Sequence, residues 1–203
     1  MLEFETALWR KGHRLVAGID EAGRGPLAGP VVAAACMIPE GFVLKGINDS
    51  KQLTADEREY WYTILTGDPH IQWAVGFVES DEIDRINIYQ ATLLAMRYAV
   101  EGLSTKPDAL LVDGMPFQFG EIPAQKVIKG DTLSQAIAAA SVLAKVSRDR
   151  KMVEWELRYP GYGFGQHKGY GTPQHLQALQ RLGPTPIHRR SFSPVREELP
   201  CEV

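Results

Sequence analysis

The chain has 203 residues, 44% hydrophobic and 23% charged, so it can bury a full core and is too apolar for disorder along most of its length. The longest weakly polar run, residues 26–39, is interrupted by Gly29 and Pro30, which argues against a membrane span. No secretory signal opens the chain, and Cys36 and Cys201 are too few for a disulfide framework, so we expect a cytoplasmic protein.

The predicted elements alternate between strands and helices. We expect strands at 14–20 and 30–38, a helix from 54 to about 65, a strand at 71–78, a short helix capped by Ser80, a helix at 87–103, strands at 109–112 and 124–128, an alanine-rich helix from 132 to about 159, and a helix from Pro173 to about 182. This order predicts an α/β fold in which a mixed β-sheet carries helices on both faces, with a C-terminal helical extension. We expect a catalytic core at 1–144, its long helix continuing to about 159, and a basic extension at 160–203 within the same unit.

Charge is distributed unevenly along the chain. Residues 1–144 carry 12 Lys+Arg against 19 Asp+Glu, whereas residues 145–196 carry 10 against 3. A basic C-terminal quarter on an acidic body is typical of a protein that docks a polyanion. A solvated basic helix face explains the same pattern equally well, so charge alone leaves both interpretations open.

Four carboxylates stand at the ends of predicted elements. Asp20 and Glu21 end the first strand, Asp113 follows the apolar strand at 109–112, and Asp131 precedes the alanine-rich helix. Strand ends in an α/β sheet meet at one edge, where such folds place their sites. Clustered carboxylates repel one another unless cations neutralise them, and hard oxygen ligands suit Mg²⁺ or Mn²⁺.

Each carboxylate also has a simpler explanation. Asp131 could cap the long helix, and Asp113 with Gly114 could form an ordinary turn. Asp20 and Glu21 could be two exposed residues that leave a strand. They are adjacent, and neighbouring residues of a regular strand point to opposite faces. They can share a site only if the backbone turns between them, or if one contributes through its carbonyl.

The glycine-rich segment 23–30 (GRGPLAGP) matches neither a Walker loop nor a dinucleotide-binding fingerprint. It brings backbone close at its glycines and places Arg24 between two of them, which can present amides and a guanidinium to a sugar–phosphate backbone. Taken alone, a tight connection between strands is the simpler interpretation.

Several motifs, in this order along the chain, resemble the type II ribonuclease H family. They are residues 18–30 (GIDEAGRGPLAGP), 48–51 (NDSK), 112–114 (VDG), 129–131 (KGD), 138–145 (AAASVLAK), 167–172 (HKGYGT) and 188–192 (HRRSF). The resemblance runs from about residue 15 to 192. It implies a ribonuclease H-like sheet and an endonuclease that hydrolyses the RNA strand of RNA–DNA hybrids. It also implies nicking of duplex DNA 5′ to single embedded ribonucleotides, leaving 3′-hydroxyl and 5′-phosphate ends, for ribonucleotide removal and primer degradation.

The resemblance also implies roles for individual residues. Asp20, Glu21 and Asp113 would hold the divalent metal, Mn²⁺ or Mg²⁺, and Asp131 would complete the catalytic site. The glycine–arginine–glycine motif of the family falls on Gly23, Arg24 and Gly25, which would contact the ribonucleotide 2′-hydroxyl and the junction phosphate. The family's junction-sensing tyrosine falls on Tyr170, whose ring would pack on the following deoxyribose.

Other basic and polar residues are weaker candidates for contact with nucleic acid. Ser50 and Lys51 are expected to touch the nucleic-acid backbone or the catalytic edge, although Lys51 could equally be solvated. Lys168 is expected to contact phosphate at most. Arg190 is expected to bind phosphate, although it could pair with the acidic body instead. Arg189 could bind phosphate or pair with the acidic body. His167 and His188 are expected to contact phosphate at most, because they lack metal-ligand spacing.

Two other functions remain open from the sequence. A catalytically inactive RNA–DNA binding module on the same fold would have no need of the acidic set, because carboxylates repel phosphate. A nuclease such as a resolvase or integrase would need the carboxylates but not the ribose-sensing residues. A monomer is expected, and no segment predicts contact with a replication clamp.

Overall fold

The computed structural model describes residues 1–198 of the chain. Within them, one mixed sheet is built from strands β1 (Val16–Ala22), β2 (Val31–Met37), β3 (Gln72–Val78), β4 (Ala109–Asp113) and β5 (Ala124–Val127). Their spatial order is β3-β2-β1-β4-β5. β1 and β3 lie antiparallel to β2, whereas β4 lies parallel to β1 and β5 parallel to β4. The predicted mixed sheet is confirmed.

Helices cover both faces of this sheet, as predicted. They are α1 (Glu3–Arg10), α2 (Ala55–Gly67), α3 (Ser80–Glu101), α4 (Gly130–Leu133), α5 (Gln135–Arg158), α6 (Phe164–His167) and α7 (Pro173–Leu182), followed by a 3₁₀ turn at Val195–Glu198. α3 packs on one face, and α2 and α5 pack on the other. The sequence patterns did not predict α1 or α6. Over residues 1–198, the helices are all too short or too polar to cross a bilayer.

The close approach of α5 to β1 depends on small residues. A Cβ atom built on Gly18 of β1 would lie 2.1 Å from the carbonyl carbon of Ala136, so helix and strand meet at backbone contact. Ala138, Ala139 and Ala140 are completely buried along the same helix. The alanine-rich pattern therefore sets how near α5 lies to the strand end that carries Asp20.

Two predicted helix starts are wrong. Ser80 does not cap α3, because the helix begins after Glu79 and the Ser80 hydroxyl donates to the carbonyl of Pro186 at 3.1 Å. The alanine-rich helix begins at Gln135 rather than at residue 132. Ser134 is extended there, and its side chain accepts the backbone N–H of Ile137 at 3.2 Å, so it caps α5 and separates it from α4.

The predicted boundary at Asn87 corresponds to a kink inside α3. Asn87 has a left-handed backbone, with φ of 69°, where the helix changes direction. Its side-chain oxygen accepts the backbone N–H groups of Tyr89 and Gln90 at 3.0 and 3.1 Å, which caps the second segment.

The chain beyond α5 packs against the glycine-rich segment 23–30. The N–H of Leu27 donates to the carbonyl of Gly169, the N–H of Gly29 to Ile187, and the N–H of Arg189 to Leu27, each at 2.8 Å. These hydrogen bonds tie the C-terminal part to the loop that follows β1. Cys201 lies outside the described residues.

Candidate active site

Three aspartates converge where β1 and β4 end. Asp20 lies near the end of β1, Asp113 ends β4, and Asp131 lies in α4. Each offers a carboxylate oxygen, and these oxygens lie within 4.8 Å of one another. β1 and β4 are parallel neighbours, so their carboxyl ends meet at the same edge of the sheet.

Backbone amides hold two of these carboxylates in place. Oδ1 of Asp20 accepts the N–H of Glu21 at 2.7 Å, and Oδ1 of Asp113 accepts the N–H of Gly130 at 2.6 Å. The simpler explanation for Asp131, as the cap of the long helix, is wrong because Ser134 caps α5. The separate turn of α4 instead directs Asp131 toward Asp113.

Glu21 lies beside the three aspartates but outside their group. β1 continues through Ala22, so the chain does not turn between Asp20 and Glu21. Oε1 of Glu21 faces the guanidinium of Arg24 at 3.3 Å, whereas its Oε2 is buried and has no hydrogen-bond partner.

Burial and like charges raise the pKa values of Asp20, Glu21 and Asp131. Burial, with the negative charges of Glu21 and Asp113, raises the pKa of Asp20 well above its usual value. Burial and the charges of Asp113 and Asp49 raise the pKa of Asp131 to about 6. Burial also raises the pKa of Glu21, which the nearby Arg24 opposes. The carboxylates are thus held together against their own repulsion.

This arrangement fits a divalent cation. Carboxylate oxygens are the ligands that Mg²⁺ and Mn²⁺ prefer. A cation among them would offset the repulsion that, together with burial, raises the pKa values of Asp20 and Asp131. The unpartnered Oε2 of Glu21 is a further acceptor beside the aspartates. Asp20, Asp113 and Asp131 are therefore the residues that could hold a metal, with Glu21 next to them.

Asp49 lies next to Asp131, although the sequence patterns did not single it out as a candidate carboxylate. Its negative charge contributes to the raised pKa of Asp131, and its Oδ1 accepts the N–H of Lys51 at 2.9 Å. Burial lowers the pKa of Lys51, but the charges of Asp20, Asp49 and other aspartates outweigh it and raise the pKa overall. The signal lay in the motif at 48–51, which contains Asp49 itself.

A cavity of about 310 Å³ adjoins the acidic group. It brings together six predicted nucleic-acid contacts with four further residues: Glu21, Ala22, Gly23, Arg24, Gly25, Ser50, Lys51, Ser141, Lys145 and Tyr170. Tyr170 is 44% exposed, and its ring lies 3.9 Å from where a Cβ on Gly25 would stand. The glycine–arginine–glycine motif and the tyrosine, far apart in sequence, thus share one recess.

Two buried arginines support the glycine-rich segment from beneath. The guanidinium of Arg189 donates to the carbonyls of Gly23, Arg24 and Gly29 at 2.5 to 3.0 Å. The expectations that Arg189 binds phosphate or pairs with the acidic body are both wrong. Arg189 is fully buried, and its guanidinium donates hydrogen bonds to the glycine-rich segment.

Arg148 of α5 is the second buried arginine that supports the glycine-rich segment. It donates to the carbonyls of Ala28, Pro30 and Lys168 at 2.9 to 3.1 Å. Gly23 has φ of 90°, and a Cβ there would lie 2.0 Å from Nε of Arg148, so only glycine fits. Sequence reasoning missed Arg148, since a single arginine in an amphipathic helix resembles a surface residue.

The remaining predicted contacts have different surroundings. Ser50 is buried and its hydroxyl accepts from Ser141 at 2.8 Å. Lys168 bonds the carbonyl of Gly165 and lines a second cavity of about 410 Å³, which shares Lys145 with the first. Arg190 is exposed and lies outside both cavities, and its N–H donates to Asp84 at 2.8 Å.

The histidines do not form a surface for phosphate. His188 is 1% exposed and lies against His175, with 3.0 Å between their Nε2 atoms. His167 stacks on His175 with ring centroids 4.5 Å apart. The expectation that His188 contacts phosphate is wrong, and sequence reasoning gave His175 no role.

Comparisons with known proteins agree over most of the chain. The family model described as Ribonuclease HII matches residues 17–195. A protein named Ribonuclease HII from Myxococcus xanthus (strain DK1622) is 59% identical over 200 residues, which are 98% of this chain and 68% of that protein. The crystal structure of the ribonuclease H2 from Pyrococcus horikoshii OT3 is 28% identical, with a TM-score of 0.75, and the match covers 90% of this chain and 96% of that one. Bst-RNase HIII in complex with Mn²⁺ shares the fold, with a TM-score of 0.74, 17% identity and coverage of 92% and 69%.

Proposed function

The chain belongs to the ribonuclease HII family and is a ribonuclease H-type endonuclease, and we propose that its acidic group and the adjoining cavity cut nucleic acid beside ribonucleotides. The substrates are the RNA strand of RNA–DNA hybrids and duplex DNA with single ribonucleotides, nicked on the 5′ side to leave 3′-hydroxyl and 5′-phosphate ends. One observation carries the proposal. Glu21 lines the cavity and directly follows Asp20 of the acidic group, so a ribose in the cavity lies next to the carboxylates.

Asp20, Asp113 and Asp131 would hold Mg²⁺ or Mn²⁺, with Glu21 adding an oxygen from the cavity side. When bound there, a divalent cation supplies activation of water and charge stabilisation at the leaving oxygen. The chain's own contribution is to hold the carboxylates. The N–H groups of Glu21 and Gly130 orient them, so few rearrangements are needed when substrate arrives.

Ribose recognition falls to the rim of the cavity. Arg189 and Arg148 bind the inward-facing carbonyls of the glycine-rich segment, which leaves the segment rigid. Gly23, Arg24 and Gly25 then contact the 2′-hydroxyl and the junction phosphate, since a 2′-hydroxyl both donates and accepts. The exposed ring of Tyr170 packs on the next sugar and favours one without a 2′-hydroxyl.

The duplex is seated by basic and polar residues around the cavity. Lys51 and Ser50 lie at its wall, and Lys168 lies in the neighbouring cavity joined through Lys145. We assign Arg190 to a more distant phosphate, because it is exposed but lines neither cavity. The segment from residue 160 onward belongs to the same catalytic unit, and binding should weaken with added salt.

The test is strand cleavage of a DNA duplex that carries one ribonucleotide, with Mg²⁺, with Mn²⁺ and with chelator. The same duplex without the ribonucleotide runs beside it. We expect a single nick 5′ to the ribonucleotide that needs the metal and is absent from the all-DNA control. Comparing the two ions at equal concentration identifies the preferred one.

Two other outcomes would contradict the proposal in different ways. Tight binding without a nick in either metal would mean an inactive RNA–DNA binding module. Cleavage of both duplexes would mean a general nuclease, and Arg24 and Tyr170 would then have no role in sensing ribose.

A further inference from the structure

Two buried histidines, His175 and His188, form a layer directly beneath the loop that carries Tyr170. Nδ1 of His175 lies 2.9 Å from the carbonyl oxygen of Tyr170. The Nε2 atoms of His175 and His188 are 3.0 Å apart, and the backbone N–H of Thr185 donates to Nδ1 of His188 at 2.9 Å. His175 is completely buried and His188 nearly so, although neither takes part in the reaction proposed above.

The backbone donor at Thr185 determines where every proton of this layer lies. An N–H group can only donate, so Nδ1 of His188 accepts and the ring proton of neutral His188 is on Nε2. That proton points at Nε2 of His175, which must accept. The proton of His175 is therefore on Nδ1 and is donated to the carbonyl of Tyr170.

We propose that His175 and His188 are positioning residues that hold Tyr170 at the wall of the cavity through this single ordered chain of hydrogen bonds. The inference rests on the proposed role of Tyr170 as the sensor of the sugar after the ribonucleotide. Every ring nitrogen in the chain has a partner, and Nδ1 of His188 also lies 2.8 Å from the hydroxyl of Thr185. The carbonyl of Tyr170 is therefore tied to Thr185, which lies beyond α7.

The loop that carries Tyr170 is also held at Gly169, the residue before the tyrosine. The carbonyl of Gly169 accepts the N–H of Leu27, and the N–H of Gly169 donates to Nδ1 of His167. His167 therefore carries its proton on Nε2 and donates to the carbonyl of Tyr162 at 2.8 Å. The tyrosine is thus held between the glycine-rich segment on one side and the histidine layer on the other.

The chain of hydrogen bonds works only while both rings are neutral. A second proton on His175 would place two N–H donors face to face across the 3.0 Å between the Nε2 atoms, and a second proton on His188 would face the backbone N–H of Thr185 across 2.9 Å. The ionisable side chains against the layer are His167, whose ring stacks on His175 at 4.5 Å, and Tyr162, whose ring lies 5.3 Å from that of His188. A positive charge on His167 disfavours another on either ring. Burial first, and then neighbouring charge, lowers the pKa of His188 to about 4 and keeps the layer neutral near pH 7.

The experiment compares two substrates of one sequence. In the first a single ribonucleotide is followed by DNA, and in the second the whole strand is RNA. We divide kcat/KM for the first substrate by kcat/KM for the second. This ratio reports the sugar-sensing step alone, because a smaller folded fraction lowers both values equally. Tyr170→Ala provides the reference loss, and His70→Gln, at an exposed histidine, is the matched control.

We expect His175→Leu to lower this ratio roughly tenfold, towards the value for Tyr170→Ala. His175→Asn should restore much of it, since its amide N–H can still donate to the carbonyl of Tyr170. An unchanged ratio in His175→Leu, when Tyr170→Ala lowers it, would overturn the inference and leave the proposed function intact. An unchanged ratio in Tyr170→Ala would overturn the role of Tyr170 and the inference together.

A second measurement applies if His175→Leu fails to fold. The ratio for the unaltered protein is followed from pH 7 down to about pH 4, where His188 is half protonated. Titration of the acidic group affects both substrates and cancels in the ratio, whereas protonation of the histidine layer does not. The ratio should fall as the pH falls, and a flat ratio would contradict the inference.

Discussion

The acidic group and the glycine-rich segment beside it handle buried charge in opposite ways. Asp20, Asp113 and Asp131 bring like charges within 4.8 Å, and burial and mutual repulsion raise the pKa values of Asp20 and Asp131. The segment instead rests on Arg148 and Arg189, whose guanidinium groups are satisfied by backbone carbonyls.

The difference separates two kinds of preorganisation. The acidic group lowers its electrostatic free energy only when a cation joins it, so it is built to bind. The glycine-rich segment already has its partners inside the protein, so it is built to keep its shape. A substitution in the acidic group should lower activity with little loss of stability. A substitution in the arginines that support the glycine-rich segment should lower stability first.

Asp20→Asn should have the largest effect, on activity. We expect kcat to fall more than about 100-fold, beyond the loss typical of a residue one layer away from a metal. The free energy of unfolding, measured with chelator present, should not fall, because the substitution removes a repelled buried charge. A stable variant that keeps its activity would show that the aspartates do not hold the catalytic metal.

Arg189→Ala should have the largest effect on stability. Three carbonyls would lose a charged donor in a buried position, which should cost about 3 kcal/mol or more of unfolding free energy. Arg190→Ala, at the exposed neighbour, should change it by less than about 0.5 kcal/mol. Chemical denaturation of both variants measures the contrast, and equal effects would remove the distinction between the two arginines.

The pH dependence of stability should report the histidine layer. His188 has a pKa of about 4 in the folded protein, below the ordinary histidine value of 6.5, so the unfolded state takes up its proton first. Stability should therefore fall as the pH drops from about 6.5 to 4, by up to roughly 3 kcal/mol from this residue.

The raised pKa values of Asp20 and Asp131 make the folded state more stable as the pH falls over part of the same range. The measurement is therefore the difference in unfolding free energy between the unaltered protein and His188→Gln at several pH values. A difference that stays constant with pH would mean that His188 does not titrate as its burial requires.

Arg24→Ala should have only a small effect on stability. Arg24 is 45% exposed and its guanidinium faces Glu21 at 3.3 Å, and an ion pair whose cation is open to solvent contributes less than about 1 kcal/mol. Nicking at a single ribonucleotide should nevertheless fall well below that of the unaltered protein, while binding of an all-DNA duplex changes little. A stability loss as large as that of Arg189→Ala would contradict the proposed division of roles.

Much of the fold was predictable from local sequence. The strand and helix patterns placed the five strands and the larger helices with modest errors at their ends, because alternation and capping act over a few residues. The start of α5 was wrong, since the break at Ser134 follows from hydrogen bonds to Met1 and Glu5 at the other end of the chain. The patterns missed α1 and α6.

The sequence by itself placed Asp20, Glu21, Asp113 and Asp131 at element ends and, through its motifs, indicated the family. The roles of these four residues and of Tyr170 stay predictions. Only the tertiary structure decided which buried groups support them, because Arg148, Arg189 and His175 act on backbone atoms far away in the chain. A hydrogen bond from a side chain to a distant carbonyl leaves no periodic pattern in sequence, so such partners become visible only when the fold brings them together.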